Sequence, residues 1–478
     1  MAISTVTQAS GLDFGLILKI MSKGMIYDNL STVSPMWDYV YGKKTDVVEG
    51  RELRYDIRTS LGPSAGGFIG LKGAQMPASQ KATLVEGIVD PKKFACTLEL
   101  DNTEIELATN DFASYGKPVA EEIEAKGFSM ARMLSSAAYR DGSGICGTVA
   151  TLGAPAQNAS DDTLVDVILE SAYNKRGWIG WFDKGDKFYG ISPAGLQKVK
   201  HDSGDTNADI DHLEVVSANR STNTITCKYM SSAGAKVSAL NNAAGATEVA
   251  AADYLIRVAS NVEVTAGQFQ DFTTLDASST QEWADIGLEF IGLDGIATDQ
   301  ARKIHNISHG SNGDVSGTVK YCSGDPIDSQ HFQQGLTDVG IACGTGRYTY
   351  KDAMMAPELY DALVESREGD RRFGSVEDSD RGTSGMGYTH RDNKIKFKTD
   401  DFCPAQQIWV IPEGDVLQYH GTDFEPMQAQ GGPKWHLKAP SGVGNGNYFD
   451  SQQMFMTGRG VLVAQHPAAI LKITQFVV

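Results

Sequence analysis

Two alternating segments, separated by a glycine-rich stretch, constrain this chain more than any other feature. Residues 54–58 and 94–100 alternate polar and apolar side chains, which is the period of strands with one buried face. Residues 62–77, between them, hold five glycines and two prolines. Connections longer than about 15 residues are uncommon in compact domains. The stretch is therefore either a surface loop or part of a hairpin arm that reaches across a neighbouring subunit, in which case residues 63–80 pack on that subunit.

Residues 118–140 give the clearest helix pattern. Pro118 suits a first helical turn, and the glutamates at 121, 122 and 124 complement the positive end of the helix dipole. Apolar residues recur at steps of three and four, which predicts one buried face, made of Val119, Ile123, Gly127, Met130, Leu134 and Ala137. The Asp-Gly-Ser-Gly sequence at 141–144 predicts the end of the helix.

Length and charge limit the function. The chain has 478 residues, enough for two or three domains, and 60 acidic against 42 basic residues give a formal net charge of −18. Proteins that grip nucleic acid usually present a basic surface, so a DNA-binding module is not expected. No apolar window reaches the length of a membrane span, and the start of the chain lacks a secretory signal pattern. We therefore expect a cytoplasmic product without membrane contact.

The other segments predict a mixture of helices and strands. Residues 34–37 form an expected docking point with Trp37 as its anchor, residues 161–175 have a helical pattern, and 193–200 have that of a helix start. Turn residues at 219–223 predict a hairpin in a β-rich block. Strands are predicted at 187–191, 213–216, 224–227, 253–258, 394–398, 407–412, 454–456, 461–464 and 470–473.

A search for catalytic or metal-binding patterns favours a protein that is not an enzyme. The six cysteines form no Cys-x-x-Cys pair, so buried free thiols are expected in place of zinc sites or a disulfide framework. His305 and His309 are four residues apart, but glycine and serine around them predict a loop with two solvated histidines. The glycine-rich segments 382–385 and 442–446 lack the strand and helix context of a nucleophile elbow or a dinucleotide site. Neither a metal nor a cofactor is expected.

The order of these segments resembles the tailed-phage major capsid proteins of the Hong Kong 97-type fold. The likeness is carried by the arm ending at 94–100, the helix 118–140 with Asp141-Gly142 after it, and the C-terminal segments 354–363 and 401–414. It covers nearly the whole chain, although no single motif is diagnostic.

The resemblance implies an α+β fold with seven parts. These are an N-terminal arm (1–47), an extended β-hairpin loop (48–101), a peripheral domain with the spine helix 118–140 (102–150), the first part of an axial domain (151–202), a β-rich insertion (203–300), the second part of the axial domain (301–430), and C-terminal strands that return to the peripheral domain (431–478). Expected contacts between subunits involve Trp37, Arg54, Arg58, Pro63, Gly66, Gly67, Phe68, Lys72, Pro77 and Lys81.

The function implied is a virion shell, built in the host cytoplasm from hexamers and pentamers of this chain around double-stranded DNA that it encloses without reading its sequence. A portal and a separate scaffold protein are expected partners. Some family members crosslink a loop lysine to a neighbour's asparagine, but no partner for Lys72 or Lys81 can be matched. The alternatives are a tail or adhesin component, an encapsulin-like compartment and a carbohydrate-active enzyme.

Overall fold

Helices and strands are mixed along the chain, which confirms the α and β content that the sequence predicts. The computed structural model describes residues 32–41, 53–60, 83–89, 91–101, 112–152, 164–170, 178–192, 197–198, 210–231, 252–257, 289–298, 303–305, 307–308, 316–327, 329–343, 348–366, 387–390, 393–414, 416–421, 425–426, 435–437 and 451–476.

The helices of the described residues are α1 (Phe112–Tyr139), α2 (Leu293–Ile296), α3 (Ser329–Cys343) and α4 (Pro357–Ser366). Their strands are β1 (Val40–Tyr41), β2 (Leu53–Ser60), β3 (Thr83–Val89), β4 (Lys92–Asp101), β5 (Ile145–Leu152), β6 (Leu164–Leu169), β7 (Lys187–Ser192), β8 (Gln197–Lys198), β9 (Ile210–Asn219), β10 (Thr224–Ser231), β11 (Tyr254–Arg257), β12 (Lys303–Ile304), β13 (Ile307–Ser308), β14 (Thr318–Tyr321), β15 (Asp352–Met355), β16 (Gly387–His390), β17 (Asn393–Thr399), β18 (Gln407–Val410), β19 (Leu417–Gly421), β20 (Glu425–Pro426), β21 (Trp435–Leu437), β22 (Ser451–Ala464) and β23 (Leu471–Thr474).

The predicted hairpin exists, but its returning strand is not the predicted one. β2 pairs antiparallel with β3, whereas residues 94–100 lie in β4, which pairs with β22. Gly87 interrupts the alternation of β3 and hides it in the sequence. The glycine leaves room for the Tyr55 ring, which a Cβ at this position would approach to within 2.9 Å.

The long helix is confirmed, although α1 begins at Phe112 and not at Pro118. Pro118 is therefore inside the helix, where a proline removes one backbone hydrogen bond. The predicted apolar face is buried wherever its side chains are described, at Gly127, Met130, Leu134 and Ala137. Gly142 ends the helical region with a φ of +88°, a conformation that glycine adopts without strain.

Six antiparallel strands close into a small barrel. The order is β11-β5-β6-β10-β9-β7, and β11 also pairs with β7, while β8 adds to β7. The predicted hairpin at 213–227 is confirmed as β9 and β10. The barrel draws its strands from residues 145–257 and so runs across the predicted boundary at 202.

Two helix predictions in this region are wrong. The described part of 161–175 is strand β6, in which Val165, Val167 and Leu169 are buried in strict alternation. The residues alternate because one face of the strand fills the barrel core, where β-branched side chains pack well. Residues 197–198, within the predicted helix start 193–200, form β8 on the edge of the barrel.

A second sheet lies under two helices. Its order is β14-β23-β18-β15-β17-β16, with both parallel and antiparallel pairs. Helices α3 and α4 cover it, and the core between them includes Phe332, Leu336, Leu359, Ile395 and Ile473.

The third sheet joins both ends of the chain to α1. β22 is 14 residues long and pairs with β4 over residues 451–460 and with β19 over residues 460–464. β1 pairs with β19, and α1 packs on β4. The C-terminal strands therefore separate, since β22 returns to the sheet beside α1 and β23 joins the α3 and α4 sheet.

Candidate assembly interface

The β2–β3 hairpin has two different faces because its side chains alternate. Leu53, Tyr55 and Ile57 lie on the inward face, which is half-buried or buried, whereas Asp56 and Glu86 are exposed on the outward face. These two carboxylates are directly opposite in the strand register. Arg54 also faces outward, and its Nη1 lies 3.5 Å from Glu86 Oε1. Exposed ion pairs contribute less than about 1 kcal/mol, so the outward face adds little to the subunit's own stability.

The inward face packs on a turn of the same chain. Ile57 packs against Ile307, and the backbone N–H of Ile88 donates to the carbonyl of His305 at 3.0 Å. The Tyr55 hydroxyl forms a hydrogen bond with Nδ1 of His305. The base of the hairpin is therefore fixed to its own subunit.

His305 is buried, which corrects the expectation of a solvated histidine. It is 1% exposed because the turn between β12 and β13 inserts it under the hairpin. Its Nε2 has no hydrogen-bond partner among the residues that the structure describes, and burial lowers its pKa to about 4. Its φ of +50° lies in the left-handed region, which histidine adopts more readily than most residues. His309 lies outside the described residues.

Trp37 anchors the arm to its own subunit, and this corrects its assignment as a contact with another subunit. The side chain is 0% exposed, and its Nε1 donates to Ser135 Oγ of α1 at 2.9 Å. Its ring stands edge-on to Tyr419 of β19, with centroids 5.3 Å apart. A tryptophan buried on all sides by its own chain leaves no surface for a partner.

A buried carboxyl group, Asp400, joins the arm to the core. Its Oδ2 accepts hydrogen bonds from Ser34 Oγ at 2.5 Å and from the Tyr139 hydroxyl at 2.8 Å. Its Oδ1 accepts the backbone N–H of Phe402 at 3.0 Å. Burial raises the pKa of Asp400, although these donors oppose the effect. The arm, α1 and the loop after β17 therefore meet at one side chain.

The same loop also forms hydrogen bonds and an ion pair with residues of the barrel region. Trp181 Nε1 donates to the carbonyl of Phe402 at 2.8 Å, and Trp178 Nε1 donates to that of Asp401 at 3.4 Å. Arg220, in the turn between β9 and β10, lies 3.5 Å from Asp401 Oδ1. Residues 400–402 thus connect the barrel to the two other sheets.

The C-terminal end of α1 carries a buried ion pair. Arg140 is 1% exposed and binds Glu289 through two hydrogen bonds, of 2.8 and 2.6 Å. Its Nη1 donates to Cys146 Sγ at 2.9 Å. Gly292 lies against the last carbonyl groups of α1, where a Cβ would come within 2.4 Å of the Arg140 oxygen. Only a glycine permits this approach.

The predicted contact residues divide into three groups. Arg54 is exposed on the hairpin, and Arg58 occupies a position on the same outward face. Trp37 is in the core, as described above. Seven predicted contacts lie outside the described residues: Pro63, Gly66, Gly67, Phe68, Lys72, Pro77 and Lys81.

The described residues hold no group of three or more side chains suited to a metal ion. All six cysteines are free, and four of them are buried, as expected. Within the described chain, no helix combines the length and apolar character needed to cross a membrane.

Comparison with known proteins gives matches among solved structures alone. No protein-family model matches the sequence, and no curated protein matches it. The Cyanophage A-1(L) capsid asymmetric unit has 9% identity and a TM-score of 0.45, with 93% of each chain covered. The procapsid of satellite phage P4, solved with its size determination protein, has 7% identity and a TM-score of 0.34, with 95% of this chain and 98% of that chain covered.

The structural neighbours are viral capsids and virus-like particles. They include a virus-like particle from Pyrococcus furiosus, with 6% identity and a TM-score of 0.35 over 94% of this chain and 96% of that chain. Phage capsids, the class that the order of sequence segments resembles, are among these neighbours. Because these scores are below 0.5, the proposals that follow rest on the contacts within this chain.

Proposed function

We propose that this chain is a structural shell protein, which assembles as hexamers and pentamers into the icosahedral shell of a tailed phage and encloses its double-stranded DNA. The β2–β3 hairpin carries the proposal. Among the described residues, its strands pair only with each other, and its outward face is charged. Residues 61–82, 22 in number, connect them.

The outward face of the hairpin is available for contact with another subunit. Two-stranded hairpins are marginally stable in water, and an open strand edge invites pairing with another chain. The base is fixed to its own subunit at His305, so the rest of the hairpin and its connection are positioned to lie on a neighbour. Arg54, Arg58, Pro63, Gly66, Gly67, Phe68, Lys72, Pro77 and Lys81 are proposed to make that contact.

In this proposal α1 is the spine of the peripheral domain and the α3 and α4 sheet belongs to the axial domain. The barrel combines strands β9, β10 and β11 of the β-rich insertion with β5, β6 and β7. The predicted domain boundaries are retained as part of the proposal. Portal and scaffold proteins are the proposed partners, with assembly in the host cytoplasm and the virion as destination. A net charge of −18 fits a shell that encloses DNA without gripping it, and no catalytic role is assigned.

Shortening the hairpin tests the proposal. Residues 61–82 are replaced by Asn-Gly, a two-residue turn suited to hairpins, between Ser60 and Thr83, which are paired in the register. The unaltered protein is expected to form closed shells in negative-stain electron microscopy. The shortened variant should keep its far-ultraviolet circular dichroism and its thermal midpoint but form no shells.

Other outcomes of this experiment would favour one of the alternative functions. A full-length protein that stays monomeric at high concentration would count against the shell function, and trimers without shells would favour a tail or adhesin component. Shells filled with protein cargo and no DNA would favour an encapsulin-like compartment. Normal shells from the shortened variant would remove the hairpin from the assembly contact.

A further inference from the structure

One face of strand β17 carries a row of lysines. Lys394, Lys396 and Lys398 alternate with Ile395 and Phe397, and these two apolar side chains are buried in the core under α3 and α4. The three lysines, called the lysine face below, point away from that core. Consecutive members are about 6.6 Å apart, because a strand rises about 3.3 Å per residue. The row is a local concentration of positive charge in a chain whose net charge is −18.

The usual structural roles of surface lysines account for only one member of this row. Lysine on an edge strand discourages pairing with other chains, but β17 is an inner strand, since it pairs with β15 on one side and with β16 on the other. Lys398 has a partner in its own subunit, because its Nζ lies 2.6 Å from Oδ2 of the buried Asp352. Lys394 and Lys396 are exposed, and among the described residues neither has an ion-pair partner. These two cations are therefore free to bind an external anion.

The surface around Lys394 and Lys396 favours a polyanion over a protein as the partner. Protein interfaces are depleted in lysine and depend on buried aromatic or apolar side chains. Within the part of the chain that the structure describes, no large exposed apolar side chain lies on β15, β16 or β17. The residue opposite Lys396 on β16 is Gly387, which adds no side chain that could obstruct a ligand. Phosphate groups suit such a surface, because lysine binds them as a point charge without a fixed geometry.

We infer that the lysine face contacts the phosphate backbone of double-stranded DNA, through Lys394 and Lys396 and without reading the base sequence. The inference rests on the proposed shell function, which supplies DNA as the polyanion that this chain meets. Double-stranded DNA carries one negative charge per about 1.7 Å of its axis. Two cations about 6.6 Å apart therefore lie near phosphates in any register along the duplex. Contacts of this kind position a protein on DNA but carry no sequence information.

Two phosphate contacts per subunit agree with an acidic chain. The net charge of −18 repels DNA from the protein as a whole, and two contacts hold DNA only weakly on one subunit. A shell repeats these contacts on every copy, and linked weak sites bind more strongly together than each does alone. The lysine face is thus where the enclosed DNA approaches the protein, whereas the acidic surface elsewhere keeps the DNA from adhering.

The salt dependence of DNA binding tests the inference in the full-length protein. Affinity for a duplex of random sequence is measured by fluorescence anisotropy over a range of salt concentrations. The logarithm of the affinity falls linearly with the logarithm of the salt concentration, by about 0.9 per phosphate contact. Lys394→Gln/Lys396→Gln removes both contacts and should reduce this slope by about 2, equally for duplexes of different sequence. Lys398 is left unchanged because it pairs with Asp352.

Two further variants separate a local contact from a change in net charge. Lys184→Gln/Lys187→Gln removes the same charge at two exposed lysines of the barrel region and should keep the slope of the unaltered protein. Lys394→Arg/Lys396→Arg keeps both cations and should keep the slope as well. Circular dichroism and thermal unfolding confirm that each variant is folded.

Several results would overturn the inference. The unaltered protein could fail to bind DNA at low salt, or Lys394→Gln/Lys396→Gln could keep the slope of the unaltered protein. The slope could fall equally in Lys184→Gln/Lys187→Gln, which would make net charge the cause. Lastly, polyglutamate could bind as tightly as DNA and lose affinity in the same variant, which would assign the lysine face to an acidic protein segment.

Shell formation is measured separately, by electron microscopy of the same preparations. An unaltered protein that forms no shells defeats the proposed shell function, whatever the anisotropy shows. Normal shells from a protein whose DNA affinity does not depend on Lys394 and Lys396 defeat only the inference about the lysine face. The two failures are therefore distinguishable.

Discussion

Tyr139 and Asp400 are 261 residues apart in the chain and meet in the core, where the Tyr139 hydroxyl donates to Oδ2 of Asp400 at 2.8 Å. Ser34 donates to the same oxygen. One carboxyl group thus connects the N-terminal arm, the long helix and the loop after β17. Since that loop also holds the barrel, contacts between sheets depend on a few buried polar groups.

Removing the Tyr139 hydroxyl should destabilise the subunit. Tyr139→Phe leaves Asp400 with one fewer donor at a site where water cannot replace it, and such losses cost about 1–3 kcal/mol. Urea denaturation measures the change in the free energy of unfolding. Tyr388→Phe, at a half-buried tyrosine that packs edge-on to Phe332, is the control and should change stability by less than about 0.5 kcal/mol. Equal effects of the two variants would contradict the role of the hydroxyl.

Asp400 should also make stability depend on pH. Burial raises its pKa above 3.8, so the folded protein keeps a proton that the unfolded chain releases. The free energy of unfolding contributed by this group therefore falls as the pH rises from about 4 through the folded pKa. Asp400→Asn cannot ionise and should remove this fall, as denaturation between pH 4 and pH 7 would detect. A variant with the same pH dependence as the unaltered protein would refute the assignment.

His305 should have the opposite pH dependence. Burial lowers its pKa from 6.5 to about 4, so the unfolded chain binds a proton that the folded protein excludes. The contribution of His305 to the free energy of unfolding is therefore fully present above pH 6.5 and is lost as the pH falls from 6.5 through about 4. A shift of this size corresponds to about 3 kcal/mol.

The variant for this test is His305→Asn, because asparagine tolerates the positive φ of +50° and does not titrate. The difference in unfolding free energy between pH 7 and pH 4 should be smaller in the variant by that amount. If the protection factor of the Ile88 N–H against hydrogen exchange, whose acceptor is the carbonyl of residue 305, does not fall in acid in the unaltered protein, the hairpin base is not held by this histidine.

The sequence predicts the elements whose pattern is local. The stripe from Gly127 to Ala137 identifies α1, and alternation identifies β2, β4 and the β9–β10 hairpin, because periodicity depends on one buried face. Prediction from the sequence fails where the helical and the alternating pattern overlap. In 161–175 the adjacent apolar pairs Leu164-Val165 and Val167-Ile168 fit helical spacing, yet β6 buries one residue of each pair in the barrel and leaves the other half-buried.

The polar centres of the candidate interface lack a local signal altogether. Asp400 follows a plain alternating strand, and its partners Ser34 and Tyr139 are hundreds of residues away. His305 is surrounded by loop-forming residues, and its burial depends on the hairpin that covers it. Trp37 differs from these residues, because the sequence does identify it as an anchor. The sequence does not reveal, however, that the side chain is buried in its own subunit.

Truncating Trp37 should release the N-terminal arm. Large buried aromatic residues cost about 3–5 kcal/mol on replacement by alanine, and Trp37→Ala also leaves Ser135 Oγ without the indole donor. Thermal unfolding measures the loss. Trp37→Phe keeps most of the apolar volume and loses only the indole N–H, so its effect should be about half as large. If Trp37→Ala unfolds like the unaltered protein but blocks assembly, the tryptophan contacts another subunit, contrary to its burial here.

Arg132, within α1, and Arg140, directly after it, allow an exposed ion pair to be compared with a buried one. Arg140 and Glu289 are 2.6 Å apart, with side chains 1% and 17% exposed, whereas Arg132 and Asp183 are 2.7 Å apart at 45% and 44% exposure. Arg140→Ala leaves the largely buried carboxylate of Glu289 without its ion-pair partner, which should lower the free energy of unfolding by about 3–5 kcal/mol. Arg132→Ala leaves Asp183 hydrated by water and should lower the free energy of unfolding by less than about 1 kcal/mol.

Urea denaturation of both variants at low and high salt checks this, since salt should weaken the Arg132 effect and leave that of Arg140 nearly unchanged. Similar losses from both would show that burial does not control the strength of the Arg140 pair.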